Sequence, residues 1–461
     1  MRTPAAAAVI AILLAAILVA GTLPDPAAAL EQRGEVSYLR GPYNIAFFHR
    51  HNASYRIGAA MHFAHGKAHD LLQLTPFRDC YLVDPAFNAE AVACLFKPPK
   101  TEPDMEYFAP YTAQTMWQLF RAIDWTHMLH EQTYDIMSDK GVPWEKKKEW
   151  TDRAVRYYLK EFDLPLSPAP IEVTMRRAAV MMKPYFTLFR NYYPLSNDFF
   201  YVAHWWHPAV YEAMMLGGNG ASQDMMVEQV DQTTVTDVLR ERPRVMLLSR
   251  EMMPRYARLS PEAANIFDNL HMLHGIAYDI LAYDGWTVEE KRAEVYRVVK
   301  AISCQPGDEE LARKFAEPRA DVDPRLYAPW MREGGGEMGR IMEEMLAEML
   351  PEMMPAGMTM PAQRREKVMA QLRLKLAPGI QEGELPGSLL DALNALMPDM
   401  KKMSPEATAP GQTPARMVEV MLRGWQANHA NMPDIPPIGM EREPPPPPQL
   451  EEKRYKGLKT P

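Results

Sequence analysis

Apolar side chains return every three to four positions through long parts of this chain. Between Thr112 and Ser138, residues Met116, Leu119, Phe120, Ile123, Met128 and Ile136 recur near a 3.6-residue period, the pattern of a helix with one face against a core. The spacing predicts a first long helix from Ala59 to Leu74 ended by Pro76, a second from Thr112 to Ser138, and a third from Trp144 to Phe162. Gly141 is expected to cap the second, and Pro143 to fit the first turn of the third, where its missing N–H costs nothing. Residues 75 to 110, dense in Pro and Asp, read as a long irregular excursion. Lys146, Lys147 and Lys148 read as a solvated helix face.

The same plan then returns. Residues 127 to 156 align without gaps onto 271 to 300, matching Tyr134 with Tyr278, Gly141 with Gly285, Lys147 with Lys291 and Arg153 with Arg297. The later third helix even opens with Thr287 followed three residues on by Glu290, the pattern of a capping box. We therefore read 40–165 and 166–304 as tandem halves of one helical unit, a mainly α fold of about three helices per half. A Met/Pro-rich arm follows over 305–461. In it Met338, Met342, Met345 and Met349 share one face of a helix expected over 337–350, and short helices are expected near 361–376, 387–402 and 413–428. The Pro444–Pro448 run and the basic tail should be extended.

Histidine marks the repeat most sharply. Of twelve histidines, eight form four H-x-x-H pairs: His62/His65, His127/His130, His204/His207 and His271/His274. Random placement would give about 0.3 such pairs from residue frequency alone. Each pair continues into [HY]-[DE]: His69-Asp70, Tyr134-Asp135, Tyr211-Glu212 and Tyr278-Asp279. The offset is 142 from His62 to His204 and 144 from His127 to His271, so the order is A-B, A-B. On a helix the two His and the following Tyr (or His69) lie within about 60° of one another, with the acid roughly 80° round.

Four inward-facing stripes would bring eight imidazoles together. Neutral imidazole is a ligand for copper, zinc and iron, so His62, His65, His69, His127, His130, His204, His207, His271 and His274 are the candidate metal ligands. Asp70, Asp135, Glu212 and Asp279 are expected to accept hydrogen bonds from ring N–H groups and fix tautomers. Tyr134, Tyr211 and Tyr278 are candidate donors or radical relays beside a redox metal. Carboxylate-bridged dinuclear bundles place Glu where this chain has the first His, which moves the reading towards copper, zinc or haem iron. Non-covalent haem between facing helices is a second reading, with Trp125, Tyr201, Trp205 and Trp206 as pocket walls. Covalent c-type haem is excluded, because no C-x-x-C-H occurs. His49 and His51 are possible extra ligands of the first helix, and His429 is isolated. The methionines allow a soft Cu(I) reading, but a docking face for a partner or for the chain itself is favoured.

Composition narrows the setting. Apolar content of 47% and charged content of 24% are those of a globular protein. A net charge of −8 argues against nucleic acid as a partner. Arg2, the apolar run of 5–21 and Ala27-Ala28-Ala29 read as an export signal or an uncleaved anchor, placing the body in the periplasm or outside the cell. In an oxidising compartment Cys80 and Cys94 could close a loop, with Cys304 left over. No nucleotide-binding glycine motif, G-x-S-x-G or H-E-x-x-H is present. The sequence thus points to an exported metal- or haem-binding protein working in electron transfer or oxidase-type chemistry. The alternative is a non-catalytic accessory or scaffold subunit of an envelope complex, gripping its partner through 305–461, with structural His stripes.

Overall fold

The computed structural model describes residues 45–102, 105–313, 323–327, 338, 341–342 and 344–345. The export segment, His429 and the arm's later expected helices lie outside them. Among the described residues the fold is all helical, with one isolated antiparallel bridge between Leu166 and Ser303. The helices, in chain order, are α1 Ala46–Arg50, α2 Asn52–Leu74, α3 Cys80–Phe96, α4 Met105–Phe108, α5 Pro110–Thr115, α6 Trp117–Ser138, α7 Lys147–Glu161 and α8 Ile171–Ala178. They continue as α9 Leu188–Tyr192, α10 Pro194–Gly217, α11 Ala221–Thr233, α12 Ser249–Met252, α13 Pro254–Leu259, α14 Pro261–Ala282, α15 Val288–Ile302 and α16 Asp308–Leu311. None is long and apolar enough to cross a membrane.

The four H-x-x-H segments are the four longest helices, α2, α6, α10 and α14. They form a bundle in which α2 and α6 each pack against both α10 and α14. Neighbours in the bundle thus come from opposite stretches of the chain. The outer helices cross over in the same way: α3 packs on α10, and α11 packs on α2. One hydrophobic core runs through all of them, with Trp205 and Trp206 fully buried.

Each long helix is preceded by a short leader, α1, α5, α9 or α13. A single non-helical residue separates leader from helix: His51, Met116, Tyr193 and Ser260, with φ between −143 and −121°. In every case it lies eleven residues before the first histidine of the pair. The expected starts are corrected accordingly. The first His helix begins at Asn52 instead of Ala59, and the second is broken at Met116.

Other expectations fail for identifiable reasons. The excursion over 75–110 contains helix α3, because Pro76 and Asp79 stand at its entry and Pro85 is tolerated inside it. Cys80 and Cys94 lie on this one helix and are free thiols. Fourteen residues of helix rise about 21 Å, far beyond disulfide reach. Gly141 does not cap α6. That helix ends at Ser138, and Gly141 donates its N–H to Asp139 Oδ1 at 2.7 Å. Lys147 is not solvated. Its fully buried ammonium donates to the carbonyls of Ile136, Met137 and Asp139 at 2.6, 3.2 and 2.6 Å, binding the end of α6. Its counterpart Lys291 reaches Leu281 O at 2.6 Å. The capping box forms as expected, Glu290 N to Thr287 Oγ1 at 3.2 Å and Thr287 N to Glu290 Oε2 at 2.8 Å. In the arm, Met345 is buried, and Met338 and Met342 pack against the core.

Candidate metal centre

The helix stripes do face inward, and the eight imidazoles form one connected set. His62 stacks on His127 with ring centroids 4.1 Å apart, and His204 lies 3.9 Å from His271. Contacts of 4.8 to 6.0 Å join these pairs through His65, His130, His207 and His274. All are buried except His127, which is half-buried. His69, wholly buried, extends the set, its ring 5.6 Å from that of His274.

The ring nitrogens are poorly supplied with partners. Neither nitrogen of His65, His204 or His274 makes a hydrogen bond. The same holds for His69, which the carbonyls of Gly66 and His65 approach without reaching bonding geometry. Buried polar groups are almost always bonded, and each orphan costs about 1–3 kcal/mol. These four rings together leave eight buried nitrogens without a partner. His62 and His207 are bonded to each other, Nε2 to Nε2, at 3.1 Å. Two nitrogens bound tetrahedrally to one ion at about 2.0–2.1 Å would be about 3.3 Å apart. Among the described residues, no three His, Cys, Asp or Glu side chains are arranged to close around one ion.

Burial keeps most of the set neutral. Desolvation lowers the pKa of His69 to about 4 and of His271 to about 3. It also holds His65, His127, His130, His204, His207 and His274 well below 6.5, and the other imidazoles add to the effect. His62 differs. Burial pulls it down, but Glu102 outweighs that, helped by Glu131 and Asp124, so its pKa is raised. The Glu102 carboxylate is bonded to His62 Nδ1, the arrangement of a ligand histidine with a carboxylate behind it. Nothing periodic marks Glu102, which comes from the Pro-rich link after α3, so sequence reasoning missed it.

The acids after the pairs have a different role from the one expected. None meets an imidazole. Each caps a leader helix of its own half. Asp135 on α6 accepts from Ile45 N and Phe47 N, both at 2.8 Å, at the start of α1. Asp70 on α2 accepts from Tyr111 N and Thr112 N at 2.9 and 2.7 Å, at the start of α5. Asp279 on α14 holds Thr187 N and Phe189 N at 2.9 and 2.8 Å. Glu212 on α10 holds Arg255 N at 3.0 Å and the Arg255 guanidinium at 2.6 Å. Each A helix thus fixes the entry to its B helix, and the reverse. The reason is electrostatic: a helix N-terminus presents unpaired N–H groups and partial positive charge.

The tyrosines tie the halves together. Tyr134 OH donates to His207 O at 2.9 Å, Tyr211 OH to His130 O at 3.0 Å, and Tyr278 OH to His65 O at 3.0 Å. His69 occupies the fourth such position. Only Tyr211 also approaches a ring nitrogen, His130 Nδ1 at 3.4 Å. His49 and His51, the possible extra ligands, do not join the set. His51 is bonded to Gln223 Oε1 at 3.1 Å, and His49 is exposed.

Comparison with family models, curated proteins and solved structures finds no match to this chain.

Proposed function

We propose that the imidazole core binds transition-metal ions and that this exported chain serves redox work in electron transfer or oxidase-type chemistry. The observation that carries the reading is the buried set of histidines, His65, His69, His204 and His274, with neither ring nitrogen bonded. An apolar core would not collect such groups, and a structural one would pair them. Neutral imidazoles are the form that ligates.

An ion fits this packing better than haem. Rings whose centroids are 3.9 and 4.1 Å apart across the bundle leave no slot for a porphyrin between them. The scaffold alternative has its own support, since the acids and tyrosines of the repeat are spent on helix-to-helix bonds. It requires metal-free protein.

Elemental analysis and absorption spectra of full-length protein purified without chelator test the proposal. Metal should be present and should fall in His65→Ala with His204→Ala, whereas Asp135→Asn should keep it. A folded double variant with the full complement, or wild type without metal, would remove the centre.

A further inference from the structure

A cavity of about 150 Å³ opens beside the histidine set, and its wall is unusually rich in sulfur. Met175 of α8, Met246 of the loop before α12, Met272 of α14, and Met338 and Met342 of the arm all line it, together with His271. Methionine ordinarily fills gaps, because its flexible chain adapts to them. Here five methionines from four segments surround a gap and leave it open. The space is below the roughly 300 Å³ at which organic ligands are usually accommodated, so its chemistry points to an ion or a very small molecule.

We propose that this cavity is a Cu(I) site that delivers the ion to the histidine core through His271. The proposal rests on the metal reading above and names the ion for it. Thioether sulfur is a neutral, soft donor that selects Cu(I) over harder divalent ions. Arg190 and Asp279 also stand in the wall; their opposite charges offset each other, so the choice of ion rests on the sulfur donors. His271 forms the inner wall, and its ring lies 3.9 Å from His204, neither of whose nitrogens has a partner. An ion leaving sulfur for nitrogen would therefore pass from a soft vestibule to imidazoles that have nothing else to bind. No electron need be transferred in this step. Cu(I) exchanges thioether ligands for nitrogen ligands and keeps its charge.

The test is anaerobic titration of the full chain with Cu(I), followed by copper X-ray absorption on the loaded protein. Wild type should show both sulfur and nitrogen neighbours, and Zn(II) loaded in parallel should show nitrogen without sulfur. Met175→Leu with Met272→Leu, which nearly conserves volume, should lose the sulfur neighbours and one Cu(I) equivalent while keeping the nitrogen shell. Met338→Leu with Met342→Leu, outside the bundle, repeats the test if the first pair disturbs folding by circular dichroism. Nitrogen alone in fully loaded wild type, or unchanged sulfur in both folded variants, would overturn the vestibule and leave the histidine centre standing. Sulfur without nitrogen would refute the histidine centre and with it the delivery step, leaving an isolated thioether site. Failure to bind Cu(I) at all would refute this proposal, and absence of every metal would refute both.

Discussion

Replacing His69 by tyrosine should make the metal-free protein more resistant to acid. Three of the four stripes carry a tyrosine at this position, each donating to a histidine carbonyl on a facing helix at 2.9 to 3.0 Å. His69 has no such bond and is wholly buried. Two effects at neutral pH oppose each other: relief of orphaned nitrogens, about 1–3 kcal/mol, and crowding by the larger ring, about 1–3 kcal/mol. The pH-dependent part is cleaner. Burial lowers the His69 pKa to about 4 in the folded state, against about 6.5 unfolded. Between these values the unfolded chain binds the extra proton, so stability falls as pH drops through 6.5 and levels off below 4. At pH 5 this one group costs roughly 2 kcal/mol relative to pH 8. Burial raises Glu212 and Asp279 to about 7, which acts in the opposite sense, since the folded state then binds the proton first. Those groups are present in both proteins and cancel in the difference. Urea denaturation of chelator-stripped wild type and His69→Tyr at pH 8 and pH 5 measures it. The variant should lose about 2 kcal/mol less on acidification. Equal losses would show that His69 is not a neutral buried imidazole.

Five further substitutions probe the frame around the core. Asp279→Ala should cost about 2–4 kcal/mol, because it strands the amides of Thr187 and Phe189, and Asp135→Ala should cost a similar amount; a loss below about 1 kcal/mol in urea would refute the capping role. Lys147→Met removes three bonds to carbonyls at the end of α6 and Lys291→Met removes one, so the first should cost about 2–4 kcal/mol and the second about 1 kcal/mol, with equal urea midpoints as the refuting result. Glu102→Gln should drop the His62 pKa below 6.5, since burial then acts without its main opposing charge. In wild type the raised pKa stabilises the fold at low pH and that contribution is lost as pH rises through the folded value; an unchanged ring titration by NMR would refute the assignment.

Much of the architecture was legible in the order of residues. The period of apolar positions located the long helices, and the spacing of His pairs put eight imidazoles on four stripes. These are local matters, since helix geometry alone decides which residues share a face. The gapless alignment also paired Lys147 with Lys291, yet Lys147 is buried, not solvated. Three adjacent lysines look alike in sequence, and only packing chooses which one the end of α6 draws inward.

What tertiary structure decided was who meets whom. Asp135 and Asp279 read as partners of histidine because both lie near the stripe, but a carboxylate goes to the strongest unpaired donors within reach. Those are the amides at the start of α1 and α9, some 90 residues away in sequence. The same holds for the tyrosines, which bond across the bundle, and for Glu102, which reaches His62 from an unpatterned link. Helix α3 was hidden because its Pro and Asp residues stop a helix in one place and start one in another. Sequence by itself determined that this chain makes helices with histidine on one face. Only the fold could say that those faces close on one another, because burial, and with it the loss of water from nine imidazoles, is a property of the assembled bundle.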